Sequence, residues 1–161
     1  MIVQDIYPLE TAKYAHLVLA AAQWGEMNLK SINGERRLRL YQKFMDTPGV
    51  AEPDWKIMAM MAQKIAALYG AKGKMDMANR FAGFDWKTDE EVFRAASVGV
   101  KDAQEDYGET TYAMLRTLGP NDVQTPVKEI TNGLPVGTTR LYEEGGKFRL
   151  FQHRGRAFPL N

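Results

Sequence analysis

Two short apolar runs, Met1–Ile6 and Leu17–Ala20, constrain this chain more than any other feature. The first carries β-branched residues and reads as a buried strand ending at Gln4-Asp5, and the second, apolar again, reads as another strand. Between them, Pro8 to His16 suits a short helix with the proline near its start. A crossover between parallel strands normally needs about a dozen residues or more, so this one is short. Two strands alone do not make a stable sheet. The chain therefore opens on a piece of sheet that needs neighbours it does not itself supply.

Farther on, Arg37 to Phe44 roughly alternates, with Leu38, Leu40 and Phe44 on one side and Arg37, Arg39, Tyr41 and Lys43 on the other. That is the pattern of a half-buried extended segment. Thr47-Pro48-Gly49 is a turn. Pro53 opens the clearest helix, with Trp55, Met58, Ala62, Ile65 and Tyr69 at helical spacing and Gly70 as its stop. Met58, Met60 and Met61 would fill a core. A second short helix is expected over Met75–Phe81. Thr88-Asp89-Glu90-Glu91 has the form of a capping box, which starts a helix through Val92, Phe93 and Ala96. The acidic stretch Asp102–Glu109 reads as solvated. Thr111–Leu118 reads as a last helix stopped by Gly119-Pro120, and Thr138–Phe151 as a hairpin turning at Gly145-Gly146.

The expected class is α/β and α-rich: a partial Rossmann-like βαβ front, a helical middle and a small C-terminal β-hairpin. The expected segments are 1–50, 51–124 and 125–161, forming one unit or a piece of a larger multidomain subunit. The net charge of +1 gives no electrostatic footprint for nucleic acid. No apolar run is long enough to span a bilayer, and no signal peptide is visible in the sequence. Cysteine is absent, which removes disulfides, thiolate zinc sites and any cysteine-ligated iron–sulfur cluster from this chain. His16 and His153 have no metal-ligand spacing, so no metal ligands are named.

Three groupings could carry function. Gln4-Asp5 ends the first strand, where ligands of open α/β sheets bind. A carboxylate there could accept from N1–H and N2–H2 of a guanine, although capping the next helix is the commoner role. Asp54 opens a helix, where the macrodipole alone accounts for an acid. The basic block Lys30–Lys43 could receive a pyrophosphate, although a solvated strand face is more common. Neither Glu90-Glu91 nor Glu143-Glu144 forms a credible acid/base pair, so no catalytic residue is named.

The segment VQDIYPLETAKYAHLVLAAAQWGE resembles the stretch of the dimethyl-sulfoxide-reductase superfamily that reads QD-x-[FY]-x-T-E-T-A, then ADVVLP, then a Glu. SING, RLRLYQKFMD and EPDWKIM are similar in particular to the large molybdopterin subunit of the arsenite oxidase branch. FAGFDWKTDEEVF, YAMLRTLG, VQTPV and GKFRLF continue the likeness in register over nearly the whole chain. Leu9, His16 and Ala20 depart from the superfamily pattern.

The resemblance implies a molybdenum held by two copies of molybdopterin guanine dinucleotide. It implies that the positions of Gln4, Asp5 and Asp54 contact the guanosine end of one copy. At the position of Met27 a lysine often contacts the cofactor; here that charge is missing. The implied reaction is oxidation of arsenite to arsenate by oxygen-atom transfer, with electrons passing to a Rieske-type small subunit in the periplasm. The remainder of the large subunit would be the other partner, and the isolated chain is expected to be inactive. Two alternatives stand beside this: an iodate-reductase-like enzyme of the same branch, and a non-catalytic, stand-alone or truncated binding module.

Overall fold

The front of the molecule is a two-stranded parallel ribbon. In the computed structural model, which describes residues 1–138, β1 (Ile2–Asp5) pairs with β2 (Leu17–Ala20), Ile2 opposite Leu17 and Asp5 opposite Ala20. The connection is a 3-10 turn, Glu10–Tyr14, tight enough to bring the second strand back within so few residues. The backbone then bridges to residues 51–53: the Ala22 amide donates to the Glu52 carbonyl at 2.9 Å, and the Glu52 amide to the Ala20 carbonyl at 3.2 Å. Neither strand is buried, contrary to the sequence expectation for the first. Ile2 is 56% exposed and Val18 50%, because no second layer among the described residues covers this ribbon.

Pro53 follows that bridge directly and caps α1 (Asp54–Ala71). The helix runs past Gly70, which is tolerated inside it. It stops where Lys72 leaves helical geometry and Gly73 takes a φ of +70°. Ile57, Ala59 and Ala62 form its buried stripe, whereas Met58 and Met60 face outward and fill no core. The short α2 (Met75–Asn79) folds back on it, with Phe81 stacked on Tyr69 at 6.3 Å.

The core lies in the other half. β3 (Leu29–Ile32), β4 (Arg37–Tyr41) and β5 (Val123–Gln124) form an antiparallel sheet in that order, with Leu38 opposite both Ile32 and Val123. Against it pack α3 (Asp89–Gly99) and α4 (Tyr112–Leu118). Leu38, Phe93, Tyr107, Tyr112, Leu115 and Val123 make one buried cluster. Phe93 stacks on Tyr107 at 4.4 Å and leans on Tyr112 at 5.1 Å, and such pairs add about 1 kcal/mol each beyond their area. Tyr107 is fully buried and donates its hydroxyl to the Phe93 carbonyl at 2.6 Å, so the stretch read as solvated supplies the centre of the core. Its acids still face out: Asp106 accepts from the Asp102 and Gly108 amides and shapes the loop that delivers Tyr107.

The Thr88 cap follows the sequence in part, and Thr111, read as helical, instead caps α4. Thr88 and Thr111 accept from the amides three residues on, at 3.2 and 3.3 Å. Glu91 reaches back to the Lys87 amide, one residue beyond the partner a capping box would give it. A small hairpin, β6 (Glu129–Thr131) with β7 (Leu134–Val136), closes the described region through an Asn132-Gly133 turn with both residues at positive φ. Gly137 then passes so close to the Gln124 carbonyl that a β-carbon has no room. The hairpin expected after Thr138, the Glu143-Glu144 pair and His153 lie outside the described residues.

Candidate functional site

The carboxyl ends of β1 and β2 and the start of α1 meet at one place, because residues 51–53 run alongside β2 and hand the chain to the helix there. Gln4 and Asp54, fifty residues apart, are joined by a hydrogen bond from Gln4 Nε2 to Asp54 Oδ1 at 2.5 Å. Gln4 Oε1 is enclosed and has no partner. Asp5 sits beside it, its carboxylate accepting from the Tyr7 amide at 3.2 Å and its carbonyl from the Ala21 amide at 3.1 Å. The strand-end corner is therefore rich in acceptors, and one of them is a buried oxygen left unpaired, a state that normally carries a penalty.

Met27 does not join this corner by a hydrogen bond, but it shares a wall with Asp54. An apolar cavity of about 310 Å³ is lined by Met27, Asn28, Lys30, Asp54, Trp55 and Asp89, among others. Next to it, a more polar cleft of about 420 Å³ runs from Glu26 and Met27 across Trp55 to Asp89 and Arg116. All four residues singled out from the sequence thus lie at or beside the strand ends and the first turn of α1.

The basic block divides. Arg39 grips Asp122 through Nε and Nη2, at 2.6 to 3.0 Å, and Arg37 approaches the same carboxylate at 3.5 Å. That carboxylate is nearly buried, and its hydrogen bonds hold the Arg39 guanidinium charged. Lys43 pairs with Asp46 at 2.8 Å, and the two raise and lower each other's pKa respectively, chiefly through their hydrogen bond. These side chains brace the sheet rather than await an anion. Lys30 is different: its ammonium lies 5.2 Å from the centre of the Tyr107 ring, and burial lowers its pKa.

Sequence reasoning missed Asp89. One carboxylate oxygen accepts from Trp55 Nε1 at 2.7 Å; the other accepts from the Asn28 amide at 2.9 Å and from Asn28 Nδ2 at 3.3 Å. Its place in an obvious cap motif concealed this second use. Among the described residues no cluster of His, Cys, Asp and Glu is arranged to hold a metal ion. No helix in the described region is long and apolar enough to cross a membrane.

Acceptors gathered at strand ends beside a helix start lie where open α/β sheets bind ligands, and the comparisons name the class. Residues 1–64 match the family model described as molybdopterin oxidoreductase, and the chain is a relative of those enzymes along most of its length. In particular, it is 46% identical over 149 residues to arsenite oxidase subunit AioA of Herminiimonas arsenicoxydans, an alignment covering 87% of this chain and 18% of that protein. It is 38% identical to iodate reductase subunit IdrA of Denitromonas iodatirespirans, over 86% of this chain and 15% of that one. A nitrate reductase of Synechocystis is 33% identical, over 98% and 21%. The chain thus spans about a fifth or less of the length of these relatives.

Proposed function

We propose that this chain forms one wall of a molybdopterin guanine dinucleotide site in an oxidoreductase of arsenite oxidase type. Gln4, Asp5 and Asp54 receive the guanine end, and Met27 lines the adjoining groove. The observation that carries this is the Gln4–Asp54 contact, which gathers acceptors from two distant stretches of sequence beyond the strand ends. Guanine offers three hydrogens, from N1–H and N2–H2, on one edge. A carboxylate accepts and cannot donate, so it suits that edge and repels the acceptor N1 of adenine. The unpaired Gln4 Oε1 adds an acceptor that such a donor edge would satisfy. The residues present fit the group.

The bound cofactor would supply two-electron oxygen-atom transfer at its molybdenum, with arsenite as the substrate. This chain's residues bind and orient the tail, and residues 1–50 and 51–124 act as one unit in doing so. The remaining length of the large subunit and a Rieske-type small subunit are the proposed partners, in the periplasm. The higher identity to the arsenite oxidase subunit favours that substrate over iodate.

Calorimetry with guanosine diphosphate as a surrogate for the tail tests the assignment, with adenosine diphosphate as control. Asp54→Asn is expected to weaken guanosine diphosphate binding about tenfold or more, because a charged hydrogen bond is lost. Asp5→Asn should weaken it less, since its carboxylate already serves the Tyr7 amide. A folded chain that binds neither nucleotide, or both equally, sinks the assignment.

A further inference from the structure

We infer that Asp89 is a positioning residue for the strand-end site: from the first turn of α3 it fixes the two backbone stretches that carry Asp54 and Met27. The proposal rests on the guanine-end assignment for its functional meaning, and on the hydrogen-bond geometry for its substance.

Asp89 lies 34 residues from Trp55 and 61 from Asn28, and its carboxylate binds both. Trp55 is the residue after Asp54, and Asn28 the residue after Met27. One side chain therefore ties the start of α1 to the entry of β3. The link extends outward, because Asn28 Oδ1 accepts from the Lys43 amide at 3.1 Å. It is also anchored to the core, because the Tyr112 hydroxyl donates to the Asp89 carbonyl at 3.3 Å. Asp54 in turn reaches Gln4. The chain of contacts runs from the aromatic core through Asp89, Trp55 and Asp54 to the end of β1, which is otherwise held by its pairing with β2.

The three donors meeting Asp89 explain why a carboxylate is required. An asparagine has one acceptor oxygen and one donor nitrogen. Whichever way its amide is turned, its NH2 faces an N–H of Trp55 or Asn28, so one of the two ties must break. A glutamate keeps both acceptor oxygens and can restore the ties with a shift of its stem.

The test compares Asp89→Asn, Asp89→Glu and the unaltered full chain. The first readout is the nuclear magnetic resonance position of the Trp55 indole N–H and of the Gln4 side-chain amide, without ligand. Asp89→Asn should move both, and Asp89→Glu should bring both back toward the original positions. A folded Asp89→Asn variant whose Gln4 amide is unmoved overturns the proposal, because lost helix stability alone would not be relayed to that amide. The second readout is guanosine diphosphate binding, expected to fall about tenfold in Asp89→Asn and to recover in Asp89→Glu. If binding is unchanged in Asp89→Asn while Asp54→Asn weakens it, the positioning role is overturned and the guanine site stands. If the unaltered chain does not bind the nucleotide, the guanine assignment falls and the Gln4 resonance alone decides the positioning role.

Discussion

The two halves of this molecule solve the problem of burial differently. The half built on β3, β4, β5, α3 and α4 encloses its own core: Leu38 and Tyr107 are fully buried, and three aromatic rings stack among strands and helices that come from distant parts of the chain. The front ribbon of β1 and β2 leaves Ile2, Leu17 and Val18 open on a two-stranded sheet. The first half is furnished from within. The second has the apolar residues of an interior, and among the described residues no layer covers them.

Four experiments break or sharpen this contrast. Phe93→Ala removes the ring that both Tyr107 and Tyr112 contact, and should lower stability by about 4 kcal/mol in chemical denaturation. A loss below about 1 kcal/mol would mean that the aromatic cluster is not the core. Gly137→Ala forces a β-carbon against the Gln124 carbonyl and should destabilise by about 2 kcal/mol, read the same way.

Tyr107→Phe leaves the Phe93 carbonyl without its donor, at about 1 kcal/mol. It also bears on pH. Burial, with Asp106 nearby, pushes the Tyr107 phenol up to about 12, and burial raises Tyr112 as well. The fold keeps the neutral phenol, so this contribution is whole below about pH 10, the unfolded value. It is lost as pH rises from there through about 12. Alkaline denaturation should be shallower in the phenylalanine variant; an identical profile would show that the phenol does not drive it.

The smallest effect on stability belongs to the ribbon. Val18→Lys should change the melting free energy by less than about 0.5 kcal/mol. It should nevertheless suppress self-association of the isolated chain in sedimentation, because a charge blunts an open apolar strand. An unaltered chain that stays monomeric at high concentration would erase the distinction between the halves.

The sequence exposed what depends on local chemistry. Pro53 and the Thr88 and Thr111 caps mark their helix starts, since a cap is decided within a few residues. The ribbon could be read because both runs are rich in apolar residues and the first carries β-branched ones. Their exposure could not, since it depends on what lies across from them. β3 was missed because LKSI lacks a clean alternation, and its strand character comes from pairing with β4. The Asn132-Gly133 hairpin carried a strong turn signal, but its strands are only three residues long and one contains Pro135. At the candidate site, the sequence and the resemblance brought out Gln4, Asp5, Met27 and Asp54; the fold bonds Gln4 to Asp54 beside Asp5 and sets Met27 along a cavity that Asp54 also lines. Asp89 stayed hidden because its partners lie far away in sequence, and no local pattern records a bond across that span.

The Gln4–Asp54 bond also works as a latch. While it is closed, the amide holds the start of α1 against the end of β1. On the proposed reading, a ligand would meet a corner whose geometry is already set and would not bear the entropy of assembling it. It would leave the latch closed and use the second Asp54 oxygen and Gln4 Oε1, which the latch does not occupy. A base edge with fewer donors would leave Gln4 Oε1 unpaired, so on that reading discrimination would rest on an oxygen whose own side chain forms the latch.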